Sequence, residues 1–242
     1  MGKKEVQLKT KRLMILPMTD EELENLIRMT DSPELKQAYQ EMLDGCRQNQ
    51  EQRIWYTAWK ICLKENKKEI GKQIGDIGFK GPVEHYSVEI GYGIDAEYEG
   101  NGYATEAAKA MIDWAMYQEN VYFVEAEVAS DNMASRRVLE KLSFQPDGGG
   151  EEGDRFVFEK ESTSWMAIYM LFGLSIGLSF GNLSGNTATG MCLGMGIGLC
   201  IGAAMDASFK KQREQIRKER EAKKKQRDTE EVLESSERDC DM

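Results

Sequence analysis

Two segments near the C-terminal end of this 242-residue chain contain no charged residue, and they restrict the fold more than any other feature. They cover residues 165–181 and 188–205, and the polar turn NLSGNT separates them. At 3.6 residues per turn, glycines that recur every fourth residue form a stripe along which a second helix can approach closely. The pattern predicts a glycine-zipper helical hairpin over residues 162–209. Its glycines are Gly173, Gly177, Gly181, Gly190, Gly194, Gly198 and Gly202.

The charge-free segments also have the length of membrane spans. Each would extend about 26 Å as a helix, close to the hydrocarbon thickness of a bilayer. We therefore expect the hairpin to associate with the cell membrane; the alternative is a cytoplasmic zipper that self-associates into a homo-oligomer. Residues 210–227 contain ten basic and three acidic residues, which predicts that both chain ends of a two-span protein are cytoplasmic. Residues 210–242 are predicted to form a basic helix followed by an acidic, disordered tail.

The net charge of −10 lies entirely in the first part of the chain. Residues 1–161 hold 21 Lys/Arg and 31 Asp/Glu, a difference of −10, whereas residues 162–242 hold 11 of each sign. An acidic domain excludes nucleic acid as a main partner, because phosphate binding needs a basic face, and it favours cationic substrates such as amines. The five cysteines lack metal-ligand spacing and there is one histidine, so we expect no metal site.

Residues 1–161 alternate between strand-like and helix-like patterns, which predicts one mixed α/β (α+β) domain with a mostly antiparallel sheet. Strands are expected at residues 12–17, 55–64, 72–81, 86–94, 121–129 and 155–160. Helices are expected after Thr19-Asp20, after Asp31-Ser32-Pro33, and over residues 103–118 and 134–144.

The stretch EYEGNGYATEA, residues 97–107, sets two glycines directly before one of these helices. A helix N-terminus carries unpaired main-chain N–H groups and a partial positive charge. Glycines in front of it allow a phosphate to approach without meeting a Cβ, so the loop can cradle a pyrophosphate. The alternative is a tight turn that uses glycine only for its positive φ. The spacing does not match the dinucleotide-binding fingerprint.

Three stretches of the sequence resemble those of a known family. They are LKTKRLMILPMTDEEL, VEIGYGIDAEYEGNGYATEA and VASDNMASRRVLEKLSF. Over residues 6–161 the sequence resembles the GNAT superfamily of acetyl-CoA-dependent N-acetyltransferases, and within it the branch that acetylates ribosomal proteins. The resemblance implies a GNAT fold in which two central strands splay apart to admit the pantetheine arm of the cofactor.

The resemblance also implies a cofactor-binding set. Glu99, Gly102 and Ala104 occupy the fixed positions of the family's Gln/Arg-x-x-Gly-x-Gly/Ala loop, and Glu99 departs from the family preference. In similar enzymes the main chain at the position of Ile94 meets the acetyl carbonyl, and the asparagine at Asn132 contacts the cofactor arm. Asn132 also fits a helix N-cap. The expected cofactor-binding residues are Ile94, Glu99, Gly100, Asn101, Gly102, Tyr103, Ala104, Thr105 and Asn132.

Acetyl transfer to an amine needs a group that accepts the proton of the amine. The ribosomal-protein-modifying relatives keep a general-base glutamate at the position of Glu127, five residues before Asn132. Glu89, on the preceding strand, is the second candidate; the alternative for both is a solvated strand carboxylate. The family's usual tyrosine acid is replaced by Leu139, and Ser135 stands where the amine-modifying branch has a serine that can substitute.

Together these features predict an acetyl-CoA-dependent N-acetyltransferase at the inner face of a bacterial membrane. Its acceptor is expected to be a primary amine, either a protein N-terminus or a small amine, attacked directly without a covalent enzyme intermediate. The alternatives are a non-catalytic acyl-CoA-binding sensor or scaffold that associates through its hairpin, and an oligomeric membrane element with a GNAT domain attached.

Overall fold

A computed structural model describes residues 6–65, 69–150, 153–161 and 163–240 of the chain. The chain divides into two compact units, Met1–Lys160 and Glu161–Met242. The first unit contains the sheet and the second contains two helices.

Eight strands form one mixed sheet in the order β1-β2-β3-β4-β5-β6-β8-β7. Every neighbouring pair is antiparallel except β5 and β6, which are parallel, so the predicted mixed α/β class is confirmed. The strands are β1 (Leu8–Lys9), β2 (Leu13–Pro17), β3 (Ala58–Lys64), β4 (Ile70–Phe79), β5 (Ser87–Ile94), β6 (Phe123–Val128), β7 (Gln145–Gly149) and β8 (Asp154–Glu159).

Helices cover both faces of this sheet. Their bounds are α1 (Asp20–Met29), α2 (Pro33–Gln48), α3 (Arg53–Tyr56), α4 (Tyr103–Met116) and α5 (Met133–Lys141), with a short 3-10 helix at Ala96–Tyr98. Helix α4 buries Ala107, Ala108 and Met111 in the main core, together with Val88 and Val124 of the central strands. Helices α1 and α2 form a smaller core on the opposite face, where Leu23 and Leu43 pack near Ala58.

Local capping signals mark the start of α1 and of α2. Thr19 caps α1 in a capping box with Glu22, and Ser32 caps α2 directly before Pro33. The sequence does not predict β1, α3 or β7. The sequence predicts a glycine-rich turn at residues 147–154, yet β7 extends to Gly149 and pairs with β8 along the edge of the sheet.

The second unit contains α6 (Trp165–Leu183) and α7 (Thr187–Cys240). Their glycines face each other: a Cβ added at Gly173 would overlap the carbonyl group of Gly194, and one at Gly194 would lie 2.8 Å from the Cα of Gly177. Both helices are long and apolar enough to cross a membrane, by length and composition alone.

The helix α7 differs from the prediction at its C-terminal end. The sequence predicts a separate basic helix and a disordered acidic tail, whereas one helix continues from the apolar segment to Cys240. Neither glycine nor proline occurs between Gly202 and Cys240, and the charged stretch is rich in Glu, Lys and Arg, which are good helix formers.

Candidate active site

The two central strands of the sheet separate along part of their length. Strands β5 and β6 pair in parallel from Ser87–Phe123 to Glu89–Glu125, and no pairing between them follows. Residues 90–94 and 126–128 continue both strands beyond this point. We call the space between these two stretches the gap.

The main chain of β5 presents hydrogen-bonding groups to the gap. The N–H of Asp95 donates to the carbonyl of Ile74 on β4, at 2.9 Å. Because successive N–H groups of a strand point to opposite sides, the N–H of Ile94 points away from β4, toward the gap. The main-chain N–H of Ile94 therefore borders the gap.

The loop of residues 99–104, here called the glycine loop, leads into α4 next to the end of β5. Gly100 and Gly102 have φ values of 74° and 76°, in the left-handed region that favours glycine. Gly102 is the N-cap of α4 and supplies no side-chain cap. Within the described part of the chain, the main-chain N–H groups of residues 101–105 have no hydrogen-bond partner. The head of α4 thus offers a cluster of free donors to an anion.

Arg12, which directly precedes β2, holds this loop. The Arg12 Nε donates to Glu106 Oε2 at 2.6 Å, and Arg12 Nη1 donates to the carbonyl of Asn101 at 3.0 Å. The guanidinium carbon also lies 4.4 Å from the ring centroid of Tyr103. Thr10 Oγ1 donates to Glu106 as well, at 2.5 Å. Burial would raise the pKa of Glu106, but the hydrogen bonds from Thr10 and Arg12 outweigh it and keep that pKa below its ordinary value.

On the β6 side of the gap, the chain leads into the start of α5. Asn132 Oδ1 accepts a hydrogen bond from the Ser135 N–H at 3.0 Å, so Asn132 is the N-cap of α5. Tyr92, on β5, donates its hydroxyl hydrogen to the Ser135 carbonyl at 3.3 Å and so connects β5 to the start of α5. Burial raises the pKa of Tyr92 to about 12, with the Ser135 contact acting in the opposite direction. Leu139 is fully buried in the core.

Glu127 projects from the part of β6 that borders the gap. Its Oε1 accepts a hydrogen bond from the Gly153 N–H at 3.0 Å, and a Cβ at Gly150 would overlap its carboxylate. Gly150 in turn donates to the Gly153 carbonyl at 2.7 Å. The glycines of the β7–β8 turn therefore fix the orientation of the Glu127 carboxylate.

Glu89 lies outside the gap, in the paired part of β5. Its carboxylate is 2.7 Å from the Lys80 ammonium group. An ion pair at this position fits a structural carboxylate on the sheet. Glu127 and Glu89 face the same side of the sheet, because Glu89 and Glu125 are register partners and strand faces alternate with every residue.

Two glycines leave this side of β5 open. A Cβ at Gly91 or at Gly93 would meet no atom within 4 Å. Beside them on β4 lies Asp76, the register partner of Gly93, whose carboxylate accepts a hydrogen bond from the Tyr39 hydroxyl at 2.8 Å. Burial raises the pKa of Asp76 above its ordinary value. The sequence does not single out these residues, because their meeting depends on the sheet register and on α2.

These residues fit coenzyme A. The unpaired N–H groups at the head of α4 suit a diphosphate, and the gap beside Ile94 suits a narrow extended arm. The structure brings Ile94, the glycine loop, Asn132, Ser135 and Glu127 to the gap and its rims, and it sets Glu89 apart.

Comparison with known proteins gives the same fold. A family model described as the acetyltransferase (GNAT) domain matches residues 12–145, more than half of the chain. The uncharacterized N-acetyltransferase YjdG of Bacillus subtilis (strain 168) is 38% identical over 90 residues, which are 37% of this chain and 51% of that protein. The chain thus spans about half the length of this curated relative.

Solved structures agree at lower identity. An acetyltransferase from Agrobacterium tumefaciens str. C58 is 23% identical, with a TM-score of 0.51 over 66% of this chain and 98% of that one. RimL, a ribosomal L7/L12 alpha-N-protein acetyltransferase solved in complex with coenzyme A, is 14% identical, with a TM-score of 0.50 over 64% of this chain and 98% of that one. At these identities the likeness concerns the fold alone.

Proposed function

The chain belongs to the GNAT acetyltransferase family, and on this premise we propose that it transfers an acetyl group from acetyl-CoA to a primary amine. One observation carries the proposal. Strands β5 and β6 stop pairing after Glu89 and Glu125, and next to this gap lies α4, whose first N–H groups are unpaired among the described residues. The gap suits the acyl-pantetheine end of an acyl-CoA, and the anion site at the head of α4 suits its diphosphate.

Acetyl-CoA would be held by residues on both sides of the gap. The main-chain N–H groups of the glycine loop and of Tyr103, Ala104 and Thr105 bind the diphosphate, and the side-chain amide of Asn132 faces the arm. When bound, acetyl-CoA supplies the activated acetyl group as a thioester. Glu99 is exposed at the start of the loop, and its negative charge repels the diphosphate.

The chemistry falls to residues along the gap. Glu127, on the part of β6 that borders the gap, accepts the proton of the attacking amine, directly or through one water molecule, and the β7–β8 turn fixes the orientation of its carboxylate. The N–H of Ile94 donates to the carbonyl oxygen on which negative charge develops. Ser135 takes the role of the general acid, because Leu139 stands at the position of the usual tyrosine and is buried in the core. Glu89 is the second candidate base.

The acceptor is a cationic amine that enters over the open glycine face of β5. Asp76 and Glu127 flank this face, and a protonated amine is attracted to such a surface before it loses its proton. A protein N-terminus and a small amine both satisfy this chemistry. RimL, which has the same fold, acts on a protein N-terminus according to its description.

We test the proposal with Gly102→Val in the full chain. Valine at a φ of 76° is strained and moves the N–H groups that receive the diphosphate, so we expect CoA binding measured by calorimetry to be lost. Gly185→Val is the matched control, because Gly185 has a similar φ of 74° and open space around it but lies in the turn between α6 and α7. Wild-type affinity in Gly102→Val would contradict the proposed site.

An acceptor screen separates the enzyme from its alternative. The wild-type chain should release free CoA from acetyl-CoA when a panel of N-terminal peptides, polyamines and aminoglycosides is supplied. Tight acetyl-CoA binding without CoA release across the panel would favour a non-catalytic acyl-CoA sensor.

We propose further that the hairpin tethers the domain to a membrane. Its glycines meet between the helices, whereas large apolar side chains are exposed on the outside, among them Leu171, Phe172, Ile176, Phe180, Leu193 and Ile197. Hydroxyl groups donate back to the helix itself, as Ser175 does to the Leu171 carbonyl at 2.9 Å. Trp165 stacks on Phe209 where the apolar segment ends, and tryptophan is enriched at membrane interfaces.

Cell fractionation tests the tether. We expect the full chain in the membrane pellet after a high-salt wash, and a chain lacking residues 162–209 in the supernatant. A full chain that stays in the soluble fraction as an oligomer would support the self-associating zipper instead, and a soluble monomer would contradict both readings.

A further inference from the structure

We propose that Arg12 is a cofactor-binding residue whose guanidinium group contacts the diphosphate of coenzyme A at the glycine loop. The inference rests on the proposed function, because it assigns one more residue to the same cofactor site. It is drawn from the contact of Arg12, directly before β2, with Glu106 on α4, which lies 94 residues further along the chain.

The guanidinium group is held in a fixed position beside the glycine loop. Glu106 binds its Nε and also accepts the Arg12 main-chain N–H at 2.8 Å. Asn101 accepts from Nη1, and the plane lies over the Tyr103 ring. The remaining amino group, Nη2, is 3.7 Å from the position that a Cβ of Gly102 would occupy. Among the described residues Nη2 has no hydrogen-bond partner, so it can donate to a phosphate bound at Gly102.

The loop needs a cation from elsewhere in the chain. Residues 95–106 include Asp95, Glu97, Glu99 and Glu106 and contain neither lysine nor arginine. A diphosphate brought to this segment meets repulsion from these carboxylates, and the helix terminus supplies only about half a positive charge. Arg12 neutralises Glu106 and places its planar fork beside the phosphate site, which suits arginine better than lysine.

Lys72, another cation near this segment, contacts other residues. The Lys72 ammonium group is 3.5 Å from Glu97 and 5.0 Å from the centroid of the Tyr98 ring. These contacts lie at the 3-10 helix rather than at the N-cap of α4. Among the described residues, Arg12 is the cation in direct contact with the loop residues Asn101 and Tyr103.

Binding of three ligands to the full chain tests the assignment. We measure calorimetric affinities for CoA, for dephospho-CoA, which lacks the 3′-phosphate, and for pantetheine, which lacks all phosphates, at one ionic strength. Arg12→Gln should weaken CoA and dephospho-CoA alike by about 10- to 100-fold, the effect of one lost charge-assisted hydrogen bond, and leave pantetheine unchanged. Arg12→Lys should recover part of the loss. Arg28→Gln, which removes an exposed arginine paired with Glu24 on α1, is the control and should bind as the wild type does.

Each other result overturns the assignment. CoA affinity within twofold of wild type in both Arg12 variants would show that no phosphate contact exists. Equal losses in Arg12→Gln and Arg12→Lys, or a loss that includes pantetheine, would show that Arg12 only shapes the loop. A loss for CoA without one for dephospho-CoA would move the contact to the 3′-phosphate. If the wild-type chain itself does not bind CoA, the proposed function fails, and this inference fails with it.

Discussion

Replacement of Glu127 by glutamine is expected to lower the turnover number by about 10²- to 10⁴-fold, the usual contribution of a general base. Glutamine keeps the size of the side chain and can still accept the hydrogen bond from Gly153, so the β7–β8 turn should keep its place. It cannot accept a proton at neutral pH. CoA affinity should therefore stay at the wild-type value while the rate of acetyl transfer falls, in a steady-state assay that follows CoA release.

Glu89→Gln is the matched comparison for this variant. Glu89 faces the same side of the sheet but lies in the paired part of β5, where it forms an ion pair with Lys80. Its replacement should leave the pH–rate profile in place, whereas Glu127→Gln should remove the limb that reports deprotonation of the base. If Glu89→Gln removes this limb of the pH–rate profile and Glu127→Gln does not, Glu89 is the base. If neither variant slows turnover, another group accepts the proton.

The pattern of the sequence predicts the central elements of the first unit well. Strands β2 and β5 and helix α4 follow local signals that need no knowledge of the rest of the chain, because apolar periodicity and glycine breaks lie within each segment. β7 carries no such signal. Its proline and glycines favour a turn, and it becomes a strand only because β8 offers a pairing edge.

The candidate site divides in the same way. The glycine loop and the N-cap Asn132 are local motifs, and the sequence identifies both. The contacts of Arg12 with Glu106, and of Glu127 with Gly153, join residues far apart in the chain, so spacing in the sequence carries no trace of them. The expected gap comes from the family resemblance rather than from any periodicity, since two strands that pair and two that separate look alike in sequence.

Replacement of Gly194 by valine is expected to break the packing of α6 against α7. A Cβ at this position would overlap the Gly173 carbonyl and lie 2.8 Å from the Cα of Gly177, and both are main-chain atoms that cannot move aside. Overpacking of this kind costs about 1–3 kcal/mol, and more where backbone is involved. In detergent micelles, the melting transition of the C-terminal helices followed by circular dichroism at 222 nm should fall by roughly 10 °C or more.

Gly196→Val supplies the control, because this glycine lies two residues further along α7 and a Cβ there meets nothing within 4 Å. Intrinsic propensity favours valine over glycine in a helix, so both variants should gain slightly from it and Gly196→Val should melt at or above the wild-type temperature. A fall in Gly194→Val alone therefore isolates contact between the two backbones, since helix formation by itself would move both variants in the same direction. Equal melting temperatures for the two variants would mean that the helices do not pair through their glycines, and the zipper would have to be abandoned.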